Sequence, residues 1–302
     1  MNPPRTWSEA YLYVGLAVLL WSPIPVMLKF LTGAYTALQI NFYIYLFAAL
    51  GAAFMLTTEG RWQEFRKLSF RDAYYLTFAA FIGMVAYDLF FTQSMVFLPS
   101  TTANIINYLW PVLMAIFAAA LLGERLTWAK WTGILLGFTG VFLLYFDSLA
   151  IELAGGALAF AGAFFWALFN VLQKKFALEK HSAMMLMVLV AFTFYSFFIM
   201  STGSFVAALP SDLIIFLFLG MLSTTLGITL YLHGLQICNT AEIASLSFAT
   251  PFLALLWSNM VLGEAIYPQH LFALGLFLTG AAVLHAEKSD KIYQICLKIY
   301  DF

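Results

Sequence analysis

The sequence predicts an all-α membrane protein with ten transmembrane helices, arranged as two inverted five-helix repeats with both termini in the cytoplasm. Three observations support this prediction: an apolar composition, ten separate apolar runs, and a match between the two halves of the chain. Of the 302 residues, 63% are hydrophobic and 10% are charged, whereas a soluble domain averages about 45–50% apolar and about 25% charged residues. A globular fold of this length cannot bury that much apolar surface, so lipid is expected to cover much of it.

Ten apolar runs are long enough to be membrane-spanning helices, each of which needs about 20 mostly apolar residues. Membrane-spanning β-strands would be about 10 residues long with alternating hydrophobicity. The observed runs are longer and do not alternate, so a barrel is rejected. The predicted helices cover residues 10–31, 37–57, 73–97, 102–122, 128–146, 153–173, 184–204, 212–237, 242–262 and 269–286.

The placement of basic residues predicts the orientation of the chain, because Lys and Arg are enriched in short cytoplasmic loops. With the N-terminus in the cytoplasm, 13 of the 14 Lys and Arg residues fall on the cytoplasmic side. Lys29 is the exception, and it lies at the outer end of the first helix, where its side chain can extend to the membrane surface. The basic residues predicted to be cytoplasmic are Arg5, Arg61, Arg66, Lys67, Arg71, Arg125, Lys130, Lys174, Lys175, Lys180, Lys288, Lys291 and Lys298.

An internal repeat relates each residue of the first half to the residue 140 positions later, without a gap. Each half contains five predicted spans, an odd number, so the two halves must insert in opposite orientations. Inverted repeats are typical of alternating-access transporters, whose substrate site lies near the membrane midplane between the repeats. The matched positions are Pro111 with Pro251, Gly123-Glu124 with Gly263-Glu264, and Thr139-Gly140 with Thr279-Gly280.

The repeat also predicts the division of the chain. We expect a first repeat over residues 1–147, a second over residues 148–287, and a cytoplasmic tail over residues 288–302. Duplication that only built a stable helical bundle is the alternative interpretation.

Composition and motifs argue against several other classes of protein. The net charge of −1 gives no basic patch for a nucleic-acid partner. Cys238 and Cys296 are too far apart for a metal or redox motif, and no cofactor, metal site or catalytic residue is expected. An intramembrane enzyme would need a second aspartate facing Asp88 or a serine–histidine pair, and a channel would need a ring of polar residues. Both classes remain as remote alternatives.

Two segments resemble the paired EamA-type repeats of the drug/metabolite transporter superfamily: TTANIINYLWPVLMAIFAAALLGERLTWAKWTGILLGFTGVFLL and TAEIASLSFATPFLALLWSNMVLGEAIYPQHLFALGLFLTGAAVL. The resemblance extends over nearly the whole chain and implies ten helices in two inverted halves. Within it, INYLWP, from Ile106 to Pro111, resembles the fourth helix of the YddG-type exporters, which implies export of aromatic amino acids. Two features depart from the pattern: Ala265 replaces a basic residue after the second Gly-Glu, and Asp88 has no counterpart.

Asp88 is the first candidate for a functional residue. A charged side chain near the centre of a membrane costs about 2.5–3.5 kcal/mol on insertion scales, so it requires an explanation. We interpret Asp88 as a group that binds a substrate amino group or carries a coupling proton, and we expect the adjacent Tyr87 to line the same site. A purely structural, hydrogen-bonded carboxyl group is the alternative.

The fourth predicted helix carries further candidates. Asn107 and Pro111 lie on one helix face, bordered by Trp110. Proline frees a backbone carbonyl group, which is tolerated in a membrane where it is buried in protein or lines a cavity. We expect Asn107 and Trp110 to contact the substrate, together with Ser247, the repeat partner of Asn107. Hydrogen bonding between helices is the alternative role for Asn107.

Two tryptophans lie well inside their predicted spans rather than at the membrane surface, where Trp usually anchors. Trp21 belongs to the first helix and Trp166 to its repeat partner, the sixth, which also carries Asn170 one turn later. These residues predict an amphipathic cavity in which an aromatic or cationic ligand could stack. Packing between helices is the alternative.

His233, in the eighth predicted span, is a candidate for substrate binding and the second candidate for proton coupling, because imidazole titrates near neutral pH. An interhelical hydrogen bond is the alternative role. Taken together, the sequence predicts a secondary transporter that exports small amphipathic metabolites, with aromatic amino acids as the first expectation, across a bacterial plasma membrane. Its partners would be the substrate, the lipid bilayer and, if transport is coupled, protons, and it would be a monomer or weak homodimer. Uncoupled export and other substrates (nucleotides, sugars, quaternary amines or drugs) remain open.

Overall fold

The computed structural model describes residues 7–98, 100–144, 152–176, 181–262, 266–268, 270–280 and 282–283. Within these ranges every regular element is helical, and no strand is present. Gly263-Glu264, Ala265 and the tail from residue 288 to residue 302 lie outside the described residues.

The first half of the chain folds into nine helices, several of which are segments of one longer span. The third predicted span is continuous over Phe70–Phe97 but contains a π-helical segment, Phe81–Ala86, between two α-helices. The helices are α1 Trp7–Trp21, α2 Ile24–Leu31, α3 Ala37–Thr58, α4 Trp62–Arg66, α5 Phe70–Ala80, α6 Tyr87–Phe97, α7 Ser100–Asn107, α8 Trp110–Leu122 and α9 Trp128–Leu144.

The second half follows the same order with a longer first helix. A π-helical segment, Phe218–Gly227, again divides the third span of this half. The helices are α10 Leu153–Phe176, α11 His181–Ser201, α12 Pro210–Leu217, α13 Ile228–Ile237, α14 Thr240–Ser247, α15 Ala249–Leu262 and α16 His270–Gly280.

Among the described residues, seven helices are long and apolar enough to cross a membrane. They cover Ser8–Leu28, Ala37–Thr58, Phe70–Phe97, Leu153–Phe176, Ser182–Ser201, Pro210–Ile237 and Thr240–Val261. Three shorter apolar helices, Trp110–Leu122, Trp128–Leu143 and His270–Gly280, occupy the remaining predicted spans.

Local sequence signals account for several helix boundaries. Thr36 and Gln39 form a reciprocal capping box at the start of α3, in which each side chain binds the backbone of the other residue. Gly123 ends α8 with φ +69°, a left-handed conformation that favours glycine. Apart from the two spans with π-helical segments, three predicted spans are interrupted by a turn: the first at Ser22-Pro23, the fourth at Tyr108-Leu109 and the ninth at Phe248.

The helix boundaries in the two halves correspond at the spacing of the sequence repeat. α7 and α14 begin and end 140 residues apart, and so do the last residues of α6 and α13. Shifted by 140 positions, the π-helical segment Phe81–Ala86 falls inside Phe218–Gly227. The halves differ in that α10 is continuous although its counterpart is divided into α1 and α2, that α4 has no counterpart among the described residues, and that α11 is shifted by three to four residues relative to α3.

The most extensive helix packing joins one half of the chain to the other. α10 packs against α6 and α8, α3 against α11 and Phe218–Gly227, and α1 against α13. Glycines allow some of these contacts: a Cβ atom on Gly220 would lie 2.4 Å from the backbone oxygen of Ile44. The hydrophobic core is therefore the interface between the halves rather than two separate cores.

Contacts between distant helix ends define two opposite faces of the molecule. On the first, here named the Lys174 face, the ring of Tyr75 stacks on that of Phe176 at 4.6 Å, and Glu124 lies 2.9 Å from Lys174. On the second, named the Phe97 face, Gly155 packs against Phe97. The candidate functional site lies between these two faces.

Candidate functional site

A cavity of about 170 Å³ lies between the two halves of the chain. Aromatic rings and polar groups alternate around its wall, so an amphipathic molecule could satisfy both kinds of surface. Its aromatic lining is Trp21, Tyr45, Tyr87, Phe91, Tyr108, Trp110 and Trp166. Its polar lining is Asn41, Asp88, Thr92, Asn104, Asn107, Ser223, Thr224, Ser247 and Thr250.

The cavity lies where interrupted helices converge. Each interruption places residues in the wall or directly beside it, and non-helical backbone is tolerated at membrane depth where it is buried in protein or lines a cavity. The lining includes Pro25 after the first interruption, Gly83 and Ser223 within the π-helical segments, and Tyr108 within the fourth span. The broken helices therefore explain why a polar cavity can exist here.

Four aromatic side chains form a closed ring, here named the aromatic floor, at the inner end of the cavity. Trp21 lies 5.1 Å from Tyr231 and 6.1 Å from Trp166, measured between ring centroids. Trp110 completes the ring, at 6.5 Å from Trp166 and 6.3 Å from Tyr231. The lining extends from this floor toward the Phe97 face, through Phe91 in α6, and includes no residue of α10 beyond Trp166.

The interrupted backbone and the aromatic floor support each other. The indole Nε1 of Trp21 donates a 3.0 Å hydrogen bond to the carbonyl oxygen of Ser223, in the second π-helical segment. The Tyr195 hydroxyl lies 3.3 Å from the carbonyl oxygens of Met84 and Val85, in the first segment. A π-helical turn leaves carbonyl groups in need of donors, and these side chains supply them.

Asp88 faces the cavity and has a protein partner. The hydroxyl group of Tyr45, four residues after Asn41 on α3, donates a hydrogen bond to its carboxylate. Tyr45 is fully buried, and its ring stacks on that of Tyr195 at 5.5 Å with an interplanar angle of 13°. Of the lining residues, Asp88 carries the only carboxyl group, and none is Lys, Arg or His.

Two asparagine side chains in the cavity wall keep an unpaired polar atom. Asn41 Nδ2 and Asn107 Oδ1 are buried and have no hydrogen-bond partner among the described residues. An unpaired buried polar group is unfavourable, and native proteins contain few of them. One donor and one acceptor are therefore available in the wall for a ligand or for water.

The structure brings together seven of the nine residues predicted to bind substrate. These are Trp21, Tyr87, Asp88, Asn107, Trp110, Trp166 and Ser247. The other two lie outside the lining. Asn170 is fully buried and donates a 2.8 Å hydrogen bond to the carbonyl oxygen of Trp166. His233 is half-buried, with Nδ1 2.6 Å from the carbonyl oxygen of Thr229 and its ring 6.0 Å from that of Tyr13.

Sequence reasoning missed part of the wall, notably Asn41 and Tyr45 on α3 and Ser223 and Thr224 in the second π-helical segment. The α3 pair carried a signal, because an asparagine followed four residues later by a tyrosine places two polar groups on one face of an apolar helix. The serine and threonine are too common in membrane helices to have been singled out.

The described helices define a multi-pass membrane protein. The sequence model of the EamA-like transporter family matches residues 8–146 and matches again over residues 153–285. The chain therefore belongs to the EamA-like transporter family, within the drug/metabolite transporter superfamily, and is a membrane transporter of that family.

Individual relatives agree with this family. An uncharacterised transporter of Archaeoglobus fulgidus is 26% identical over 226 residues, 72% of this chain and 80% of that protein. The uncharacterised inner membrane transporter YhbE of Escherichia coli is 22% identical over 290 residues, 90% of this chain and 89% of that protein. The aromatic amino acid exporter YddG of Ancylobacter novellus is 34% identical, but over only 101 residues, 32% of this chain and 35% of that protein.

A solved crystal structure shares the fold. It superposes with a TM-score of 0.81 and covers 92% of this chain and 96% of the other chain, at 22% sequence identity. At this level of identity the likeness establishes the architecture alone.

Proposed function

We propose that this protein moves a small amphipathic metabolite across the plasma membrane by alternating access, with the substrate bound in the cavity between the halves. The observation that carries this proposal is the cavity itself. Both halves contribute to its wall, the interrupted helices converge on it, and it combines aromatic rings, one carboxyl group and two unpaired amide groups. Transporters built from repeats bind their substrates at such an interface, beside discontinuous helices.

The proposed architecture is ten spans in two inverted repeats, over residues 1–147 and 148–287. Support comes from the shared helix boundaries, 140 residues apart, of α7 and α14 and from the two separate matches to one family model. Two similar halves in opposite orientations give inward-open and outward-open states of similar energy, which suits a transport cycle.

The proposed topology places the Lys174 face in the cytoplasm. Lys174 and Arg125 belong to the basic group predicted to be cytoplasmic, and the Tyr75–Phe176 stack brings the first turn of α5, which carries Arg71, to the same face. Positive charge near short loops marks the cytoplasmic side. The cavity, which extends toward the Phe97 face, would then be outward-facing in this structure. The relatives named as inner membrane transporters support a bacterial plasma membrane.

The proposed substrates are amino acids with aromatic side chains. Trp110 and Trp166 offer ring surfaces for stacking, and Asp88 offers a carboxylate to an ammonium group. Asn41 Nδ2, which lies near the Tyr195 hydroxyl group without a short hydrogen bond, can donate to a carboxylate oxygen. The Ancylobacter novellus relative, which is named an aromatic amino acid exporter, supports this assignment over the matched segment.

Quaternary amines are the second candidate class of substrate. A cavity with a carboxyl group, several aromatic rings and no basic residue in its lining suits a cation, which would stack on the rings. The same feature disfavours nucleotides, whose phosphate groups need basic partners.

Asp88 remains the leading candidate for a proton carrier, because it faces the cavity where protonation and substrate binding can compete. His233 remains a candidate at a distance from the cavity. The protein would act as a monomer or a weak homodimer.

Uptake into liposomes that contain the purified protein tests the proposal. The panel would contain radiolabelled phenylalanine, tyrosine, tryptophan, threonine and lysine, with and without a pH gradient, and tetraethylammonium as a quaternary amine. Saturable uptake of the aromatic amino acids above the level of protein-free liposomes is the expected result. Uptake of the quaternary amine alone would replace the substrate assignment, and no saturable uptake of any compound by folded protein would contradict it.

A further inference from the structure

A network of polar groups joins helix ends at the Lys174 face. Glu124 Oε1 lies 2.9 Å from Lys174 Nζ and accepts a 2.7 Å hydrogen bond from the Thr240 hydroxyl group. Glu124 Oε2 accepts a 3.1 Å hydrogen bond from the backbone N–H of Thr240. Lys174 Nζ also donates to the carbonyl oxygen of Cys238 at 2.6 Å. The Glu124 and Lys174 side chains are only 13% and 18% exposed, so solvent weakens their interaction little.

The network crosses between the two halves of the chain. Glu124 follows α8 in the first half, whereas Lys174 ends α10 and Thr240 begins α14 in the second. The carboxylate also binds the first N–H group of α14, where a negative charge is favoured by the helix dipole. The ends of these three helices cannot separate while Glu124 keeps all of its partners.

Buried polar side chains lie between this network and the aromatic floor. Asn170 and Gln173 follow Trp166 on α10 by four and seven residues, about 6 Å and about 10 Å along the helix axis toward the Lys174 face. Both are fully buried, and the oxygens Asn170 Oδ1 and Gln173 Oε1 have no partner among the described residues. At this level α13 is tied to α10 by a 3.0 Å hydrogen bond from Gln236 Nε2 to the Gln173 carbonyl oxygen.

These unpaired oxygens are unfavourable in the present structure but would be satisfied in a state that admits water or substrate. They lie on the opposite side of the aromatic floor from the cavity. They are also the polar groups that a molecule leaving the floor toward the Lys174 face would meet next.

We propose that the bonds of Glu124 to Lys174 and Thr240 form a latch on the Lys174 face, and that release of this latch opens a second part of the substrate path lined by Asn170 and Gln173. This inference rests on the proposed alternating-access function. The latch keeps the Lys174 face closed while the cavity is open toward the Phe97 face. When the latch is released, the Lys174 face opens and the Phe97 face closes.

Thiol labelling tests the latch without any substrate. A reporter, Asn170→Cys, is introduced after both native cysteines are replaced by alanine, and its reaction with a membrane-impermeant maleimide is followed in inside-out vesicles. Glu124→Gln is expected to raise the labelling rate by about fivefold or more, the lower limit of typical coupling between two states. Thr240→Val, which removes one bond and keeps the side-chain shape, should raise the rate by a smaller factor.

Glu64→Gln is the matched control. Glu64 forms a 2.8 Å ion pair with Arg61, but the pair is more exposed and lies within one stretch of the first half. The same substitution there should leave the labelling rate unchanged. If Glu124→Gln does not fold, as judged by gel filtration in detergent, Thr240→Val and Lys174→Met carry the test.

An unchanged labelling rate in folded latch variants would overturn the inference. A second background that keeps Cys238, which is 3% exposed, provides a further test. The inference would also be overturned if Glu124→Gln made Cys238 reactive there while it left the Asn170→Cys reporter unreactive, because the network would then be a local helix cap. Substrate uptake is measured separately, so a failed substrate assignment leaves the labelling result interpretable.

Discussion

The hydroxyl group of Tyr45 donates a hydrogen bond to the carboxylate of Asp88, and this pair joins two helices in the wall of the cavity. Tyr45 lies on α3 and is itself buried beneath the ring of Tyr195. The tyrosine supplies one donor, so the carboxyl group keeps acceptor capacity for a substrate ammonium group or for a proton. Because Asp88 lines the cavity, its roles in substrate binding and proton transfer can be tested by substitution.

The first prediction concerns proton coupling. Asp88→Asn removes the titratable group but keeps the side-chain size, so uptake should no longer respond to a pH gradient while substrate binding remains measurable. Uptake into liposomes over a series of imposed gradients measures this. Tyr45→Phe is the matched variant: it keeps the carboxyl group, so it should keep the pH response. Full pH dependence in Asp88→Asn would exclude Asp88 as the proton carrier.

The second prediction concerns the aromatic floor. Trp166→Ala removes a ring that faces the cavity, and stacking between aromatic groups contributes about 0.5–1.5 kcal/mol. Binding of phenylalanine should therefore weaken by about two- to twelvefold relative to binding of threonine. Competition binding with the two amino acids gives the ratio. Trp128→Ala serves as the control because this side chain is 87% exposed and lies outside the cavity lining.

An equal loss of affinity for phenylalanine and threonine in Trp166→Ala would indicate a packing role. The same comparison applies to Trp110→Ala, whose ring borders that of Trp166.

The third prediction separates stability from binding at Asn107. Its oxygen is unpaired, and its amide group interacts with the Tyr87 hydroxyl group, so Asn107→Leu should lower the free energy of unfolding by no more than about 1.5 kcal/mol, the upper value for one hydrogen bond. Affinity for the substrate should fall by about 0.5–1.5 kcal/mol, the net contribution of one hydrogen bond. Thermal unfolding and equilibrium binding on the same preparation measure the two effects. A large loss of stability with unchanged affinity would assign Asn107 to helix packing.

The fourth prediction concerns the contact between the halves. Gly220→Ala would place a Cβ atom 2.4 Å from the backbone oxygen of Ile44 and 2.6 Å from the Phe47 side chain. The backbones must separate, so we expect a loss of about 1–3 kcal/mol in the free energy of unfolding. Gly15→Ala is the control, because nothing lies within 4 Å of its added atom. The thermal unfolding midpoints of the two variants are measured in detergent. Equal midpoints for Gly220→Ala and Gly15→Ala would contradict this account of the packing.

The sequence predicts the helical segments well, because a long apolar run has few alternatives in a membrane. The second predicted span, residues 37–57, agrees with α3, Ala37–Thr58, to one residue at its end. Interruptions were harder to predict. Pro23 and Pro25 mark the first interruption. The π-helical segment Phe81–Ala86 contains no proline, and its apolar sequence does not distinguish it from an ordinary membrane helix.

Candidate site residues were identified where they departed from their surroundings, as Asp88 and Trp166 do. Residue spacing in the sequence does not show at which depth along a helix the cavity ends. Asn170 shares a helix face with Trp166, yet it lies one turn below the aromatic floor, because a helix face continues through the membrane while the cavity ends at the floor. Asn41 and Tyr45 share one face of α3, but only the folded structure shows that this face meets Asp88.

The two halves also differ in stiffness. α10 runs without a break from Leu153 to Phe176, whereas its counterpart is divided at Ser22-Pro23. Pro23 and Pro25 cannot donate backbone hydrogen bonds, so bending concentrates at that joint. The first span can therefore bend at a defined position, whereas α10 resists bending along its whole length. Any bending during a conformational change would therefore fall unequally on the two halves of the chain.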